Sequence, residues 1–138
     1  MRELKFRGKL LNDSNSFKTY KKGIVITGGF CNQGIKCFIV AHFNVFEVDP
    51  ESVQQFTGFK DRYDEEIFGG VVLSDYTQTD EGLVQSKMQV FWCEKIGAWK
   101  LDNSYHQDKS SGDLLSDELA DFNYEVVGNV CENPELCR

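Results

Sequence analysis

The densest run of reactive side chains is Lys60-Asp61-Arg62-Tyr63-Asp64-Glu65-Glu66, set between Phe56-Thr57-Gly58 and Ile67-Phe68. Four carboxylates within six residues are raw material for general acid–base chemistry or for a hard cation. Tuning a carboxylate for acid–base work takes burial or a close like charge, and a charged run between apolar anchors is expected to lie in water. The twelve-residue calcium-loop pattern, with its central glycine and closing glutamate, is missing. We therefore expect a turn joining two strands, with Phe56 and Ile67 in the core. Lys60, Asp61 and Arg62 are then candidates for binding a partner, and catalysis there is disfavoured.

The remaining candidates are sparser. A nucleophile needs a base beside it, and His42 and His106 are the only histidines. His42 sits between Ala41 and Phe43, His106 in a polar stretch, and no local pattern brings a thiol or hydroxyl to either. The five cysteines are Cys31, Cys37, Cys93, Cys131 and Cys137. Two pairs share a C-x5-C spacing, wider than structural zinc sites use, so scattered core thiols are preferred over a metal. Gly28-Gly29 follows Ile24-Val25-Ile26 like the entry to a phosphate loop. It lacks a third glycine, a Lys-Ser/Thr pair and a following helix, so a hairpin or bulge is expected instead. No catalytic residue, metal or cofactor is expected.

Charge is unevenly spread. Residues 1–40 hold eight Lys/Arg against two acids, a balance of +6, while residues 41–138 hold seven against twenty, a balance of −13. The alternating start places Lys5, Arg7 and Lys9 on one strand face, a candidate surface for phosphate. Together with Phe91, Trp92, Trp99 and Tyr105 they are the material of a stacking platform for single-stranded nucleic acid. The net charge of −7 opposes polyanions, so nucleic-acid binding is disfavoured. Neutralisation within the fold or between subunits is preferred, and a homo-oligomer is expected. No apolar run is long enough to span a bilayer, and the N-terminus lacks a signal peptide's apolar core, so the cytoplasm and no membrane partner are expected.

These side chains must be positioned by strands. Leu4, Phe6, Gly8 and Leu10 alternate with Glu3, Lys5, Arg7 and Lys9, the period of a half-buried antiparallel strand. Further strands are predicted at 17–20, 23–30, 36–43, 45–48, 67–73, 87–93, 98–101 and 124–130, with a helical turn at Pro50 and a tight turn over 94–97. Met88, Val90 and Trp92 share a face and are expected to be core. Asp113–Phe122 is the one predicted helix, with Leu115, Leu119 and Phe122 as its apolar stripe and Ser110–Asp113 supplying the cap. One domain over residues 1–138 is expected.

Four segments run from end to end of the chain: the opening Met1-Arg2-Glu3-Leu4-Lys5-Phe6-Arg7-Gly8, VDPESVQQFTGFKDRYDEEIFGG (48–70), QVFWCEKIGAWKL (89–101) and YEVVGNVCENPEL (124–136). In order and spacing they resemble the YopX-type proteins, small proteins encoded by bacteriophages and prophages. The resemblance implies a mainly β fold: a small antiparallel, partly open β-barrel of SH3-like character, here with one short helix near the C-terminus. It also implies a phage or prophage origin and a bacterial host. It implies no activity. Two departures stand out: Tyr63-Asp64 replaces the family's Asn-Gly, and Gly69-Gly70-Val71 replaces its Glu-Gly-Asp, so no role of those acids transfers. The expected function is a non-enzymatic module binding a host or phage protein, ahead of nucleic-acid binding and of an unrecognised enzyme.

Overall fold

The computed structural model describes residues 3–15, 19–41, 44–103 and 113–129. Among the described residues the protein is mainly β, with a six-stranded, a five-stranded and a two-stranded antiparallel sheet, one α-helix and no closed barrel. It divides into two compact units, residues 1–56 and 57–138.

The first unit is built from β1 (Phe6–Lys9), β2 (Ser14–Asn15), β3 (Thr19–Tyr20), β4 (Val25–Gln33), β5 (Lys36–Ala41), β6 (Asn44–Val48) and the start of β7 (Gln54–Lys60). Five of them lie in one sheet in the order β6-β5-β4-β1-β7, and β2 pairs with β3 in a separate two-stranded sheet. The sheet curls far enough for Leu10, just past β1, to meet Val48 of β6 in an isolated bridge. Period-two alternation puts Leu10, Ile26, Cys37, Ile39, Phe46 and Val48 inside. Gly8 is required there, because a Cβ would stand 3.0 Å from the Val48 side chain. Phe6 stacks on Phe30 with centroids 5.1 Å apart, and Tyr20 meets Phe46 edge-on at 5.0 Å. Pro50 opens a single 3-10 turn, Pro50–Ser52, which Asp49 caps by accepting from the Glu51 N–H.

The second unit carries the rest of β7, then β8 (Glu66–Phe68), β9 (Val71–Thr79), β10 (Gly82–Cys93), β11 (Ala98–Asn103), β12 (Asp113–Leu114), α1 (Leu115–Asp121) and β13 (Glu125–Asn129). β12-β11-β10-β9-β13 form one sheet. Val71, Val72, Leu73 and Ser74 are buried in succession, so both faces of β9 are covered there. Val90, Leu101, Leu115 and Ile67 complete a core in which each fully buried side chain contributes about 1.5–3 kcal/mol.

Several expectations are corrected. The β4–β5 hairpin turns at Gly34-Ile35, because Cys31, Asn32 and Gln33 still pair with Phe38, Cys37 and Lys36. The predicted strand 67–73 is two strands, broken at Gly69-Gly70, where Gly70 takes φ 89°. The predicted strand 87–93 begins five residues earlier, at Gly82, and β9 continues to Thr79. Residues 75–86 thus form a two-stranded ribbon that pairs only with itself among the described residues. Leu4 lies before β1 and is 69% exposed. The helix is shorter than predicted, its N-cap Leu114 makes no side-chain cap, and Phe122 falls outside it, half exposed. Ser110 and Ser111, expected to help cap it, lie outside the described residues, as do Phe17 and Lys18.

Candidate functional site

The segment around Lys60, Asp61 and Arg62 is positioned by β7 and β8. Thr57 ties the two strands together: its hydroxyl donates to the Ile67 carbonyl at 2.7 Å and accepts from the Phe59 N–H at 3.1 Å. Phe56 and Ile67 are buried, as expected.

Asp61 departs from expectation. It is 8% exposed, although Arg62, Tyr63, Asp64 and Glu65 around it face water. Its Oδ1 accepts from the N–H groups of Tyr63 at 2.8 Å and Glu65 at 2.9 Å, and its Oδ2 from the Val126 N–H at 2.9 Å. The Asp61 N–H donates to the Glu65 carbonyl at 2.9 Å, and the Arg62 N–H to the Tyr124 carbonyl at 3.2 Å. One carboxylate therefore shapes the turn and fastens it to β13, far along the chain. Charge-assisted bonds of this kind are about twice as strong as neutral ones. Asp64 takes φ 66° at the place where the resemblance led us to expect glycine. A short polar side chain tolerates that region better than a bulky one, so the turn survives the exchange. Lys60 pairs with Asp64 at 3.6 Å, both well exposed, and the Arg62 guanidinium lies 5.0 Å from the Tyr63 ring centroid.

The three cations of β1 and its approach are half-buried and engaged. Lys5 lies 4.7 Å from the Phe56 ring centroid and 3.5 Å from a Glu3 carboxylate oxygen. Arg7 Nε donates to Gln54 Oε1 at 2.8 Å. The Lys9 N–H donates to Ser52 Oγ at 2.8 Å, and Lys9 has a further interaction besides. The Lys5 and Arg7 side chains thus lie against Phe56 and Gln54.

The aromatic hairpin is half right. Val90 is fully buried and Met88 partly so, but Trp92 is 42% exposed, which corrects its assignment to the core. It meets Trp99 edge-on at 5.2 Å, and Trp99 lies over Gly69, where a Cβ would come within 2.7 Å of the indole. That packing explains a glycine in place of the expected acid. The core face of β10 ends at Val90, so Trp92 has no further layer to enter.

A carboxylate–phenol pair was not legible in the sequence. Tyr124, buried, donates to Glu118 Oε2 at 3.3 Å. Burial, then the Asp113 carboxylate, raise Glu118 above the ordinary glutamate value. Burial, then the charge of Glu118, push the Tyr124 phenol well above the tyrosine range. A hollow of 190 Å³ lies in the first unit, lined by Leu10, Asn12, Asp13, Val45, Phe46 and Glu47, and none of the perturbed groups borders it.

Cys31 and Cys37 sit on opposite faces of their hairpin, since Cys31 pairs with Phe38 and Cys37 with Asn32. They cannot share a metal from that register. Cys37 and Cys93 are buried free thiols, and Cys131 and Cys137 lie outside the described residues with His42, Tyr105 and His106. No helix among the described residues is long and apolar enough to cross a membrane.

The family model described as YopX protein matches residues 5–138. The chain belongs to the YopX family. The match runs through both compact units, so the Asp61 turn, the β9–β10 ribbon and the Trp92–Trp99 pair all lie within the family's span. No curated protein matches the chain at a significant level.

Proposed function

We propose that this YopX-family chain is a non-enzymatic interaction module that binds protein, encoded by a phage or prophage and acting in the cytoplasm of its bacterial host. The observation that carries the reading is the ribbon of residues 75–86. An isolated two-stranded ribbon is marginal in water, and its free edges are a liability unless something uses them. This one exposes Tyr76, Leu83 and Val84 at 54%, 69% and 50%, beside Asp75, Asp80 and Glu81. Exposed aromatic and aliphatic groups ringed by charge are the composition of recognition surfaces. Within the charged turn, the buried carboxylate of Asp61 is spent on three backbone amides. The curled sheet of the first unit supports an SH3-like description, and the origin rests on the resemblance of the quoted segments.

The test is a binding comparison with purified protein. Fluorescent single-stranded and duplex DNA are titrated at low salt, and the tagged chain is cross-linked in the induced host. The reading expects no DNA shift and a protein cross-linked through the ribbon. A DNA shift that weakens steeply with salt and is lost in Arg7→Ala would replace it with the nucleic-acid reading.

A further inference from the structure

Two turns of this chain share one residue pattern with opposite charge. Lys21-Lys22-Gly23-Ile24-Val25 leads into β4, and Asp80-Glu81-Gly82-Leu83-Val84 leads into β10. In each, two like charges precede a glycine at positive φ, 90° at Gly23 and 114° at Gly82. In each, two aliphatic side chains follow and stand open. Ile24 and Val25 are 39% and 47% exposed, Leu83 and Val84 69% and 50%.

Both turns are held in shape by bonds that leave the charged ends outward. The Gly23 N–H donates to the Leu10 carbonyl at 2.8 Å, and the Lys22 N–H to Asp13 Oδ1 at 2.7 Å. In the acidic turn, the Glu81 N–H donates to Thr79 Oγ1 at 3.2 Å, and that hydroxyl donates to the Gly82 carbonyl at 2.8 Å. Lys21 has a loose partner in Asp13 at 3.9 Å, both side chains more than half exposed, and such surface pairs exchange at little cost. Asp80 and Glu81 make no ion pair among the described residues, and all four charged residues face solvent.

We propose that the acidic turn of one copy docks on the basic turn of a second copy of this chain. This rests on the interaction-module reading and names the partner as the chain itself. Charge complementarity selects the pairing, since like turns repel while opposite ones attract, and the contact brings an exposed aliphatic side chain of each turn within reach of the other. The turns also sit on oppositely charged segments: residues 1–56 hold eight cations and five acids, net +3, and residues 57–138 seven and seventeen, net −10. Because the two turns are different surfaces, the contact is made either reciprocally in a two-fold dimer or head to tail in a ring or filament. Two five-residue turns bury well under the ~1,000 Å² of a self-sufficient interface, so each contact is weak and closure supplies the remaining affinity. Salt screens exposed charges over ~10 Å at 0.1 M, so the assembly disperses as salt rises.

The experiment is sedimentation of the full chain at low and high ionic strength, with two charge-swapped variants. Asp80→Lys/Glu81→Lys has two basic turns, and Lys21→Glu/Lys22→Glu has two acidic ones. The wild type is expected to assemble at low salt and disperse at high salt, and each variant to remain monomeric alone. Mixed in equal amounts, the variants regain assembly, because each now supplies what the other lacks. Circular dichroism checks that both are folded, and if a swap unfolds the chain, Asp80→Ala/Glu81→Ala takes its place as the loss-of-assembly variant. A monomeric wild type at low salt overturns the proposal, as do variants that stay assembled or folded variants that fail to recover on mixing. Variants that stay assembled remove this contact and leave the interaction-module reading standing. A chain that neither self-associates nor binds another protein removes both.

Discussion

The turn at residues 61–65 and the turn at residues 80–82 look alike as strings of charge, yet they are opposites. In the first, a carboxylate is buried and accepts three amides, one of them from β13. In the second, both carboxylates are exposed and the turn is shaped by a threonine hydroxyl and a glycine. The comparison teaches that a charged turn between strands has two uses. Its side chains are either consumed by the backbone, and then they are architecture, or left over, and then they are available to a partner.

Breaking the first turn has the largest expected effect. Asp61→Ala leaves three amide donors without their acceptor and should cost about 3 kcal/mol or more, read as a lower urea midpoint. Asp61→Asn keeps one acceptor oxygen but turns an amine toward one of the donors, and should cost about half as much. Next comes Asp64, at φ 66°. Asp64→Val places a β-branched side chain in the left-handed region and should cost about 1–2 kcal/mol, while Asp64→Gly should be neutral or stabilising by less than about 1 kcal/mol. Thermal melts of the pair separate backbone strain from the exposed Lys60–Asp64 ion pair, which both variants lose alike.

A smaller effect belongs to Glu118, whose partner Tyr124 also takes the Arg62 amide. Its carboxyl is raised above 4.5 in the folded state, first by burial. The stability it contributes is therefore fully present below the ordinary glutamate value and lost as pH rises through the raised one. Glu118→Gln should melt slightly higher than the wild type at neutral pH, and the difference should vanish below pH 4.5. The smallest effect is at the second turn. Asp80→Ala/Glu81→Ala should change the stability of the single chain by less than about 0.5 kcal/mol, because both carboxylates are exposed and make no ion pair among the described residues.

Much of the fold was legible, for reasons that can be named. Period-two alternation identified β1 and β10, β-branched and aromatic runs identified β4 and β5, and Gly97 at φ 66° closes the β10–β11 hairpin as expected. The distal ribbon was not legible, because Thr77, Gln78, Thr79, Gln85 and Ser86 carry no apolar alternation. Its pairing is inherited from the hydrophobic base at Val72–Leu73 and Met88–Gln89, where the register is set. The candidate site was legible as a position and not as a mechanism. Spacing marked Lys60, Asp61 and Arg62 as one turn, but the Val126 N–H that Asp61 accepts from is 65 residues away, beyond any local pattern. Lys5, Arg7 and Lys9 were read as one face, but the partners of the Lys5 and Arg7 side chains and of the Lys9 N–H, Phe56, Gln54 and Ser52, arrive only when β7 and the Pro50 turn fold beside them.

The most direct test is residue-resolved amide hydrogen exchange by NMR, at low salt and again at high salt. The account predicts that the Tyr63, Glu65 and Val126 amides are protected in both conditions, since their acceptor lies within the chain. The amides of residues 80–84 and 21–25 should gain protection only at low salt, where copies meet. Protection that changes with salt at residues 61–65, and stays unchanged in the two charged turns, would contradict it.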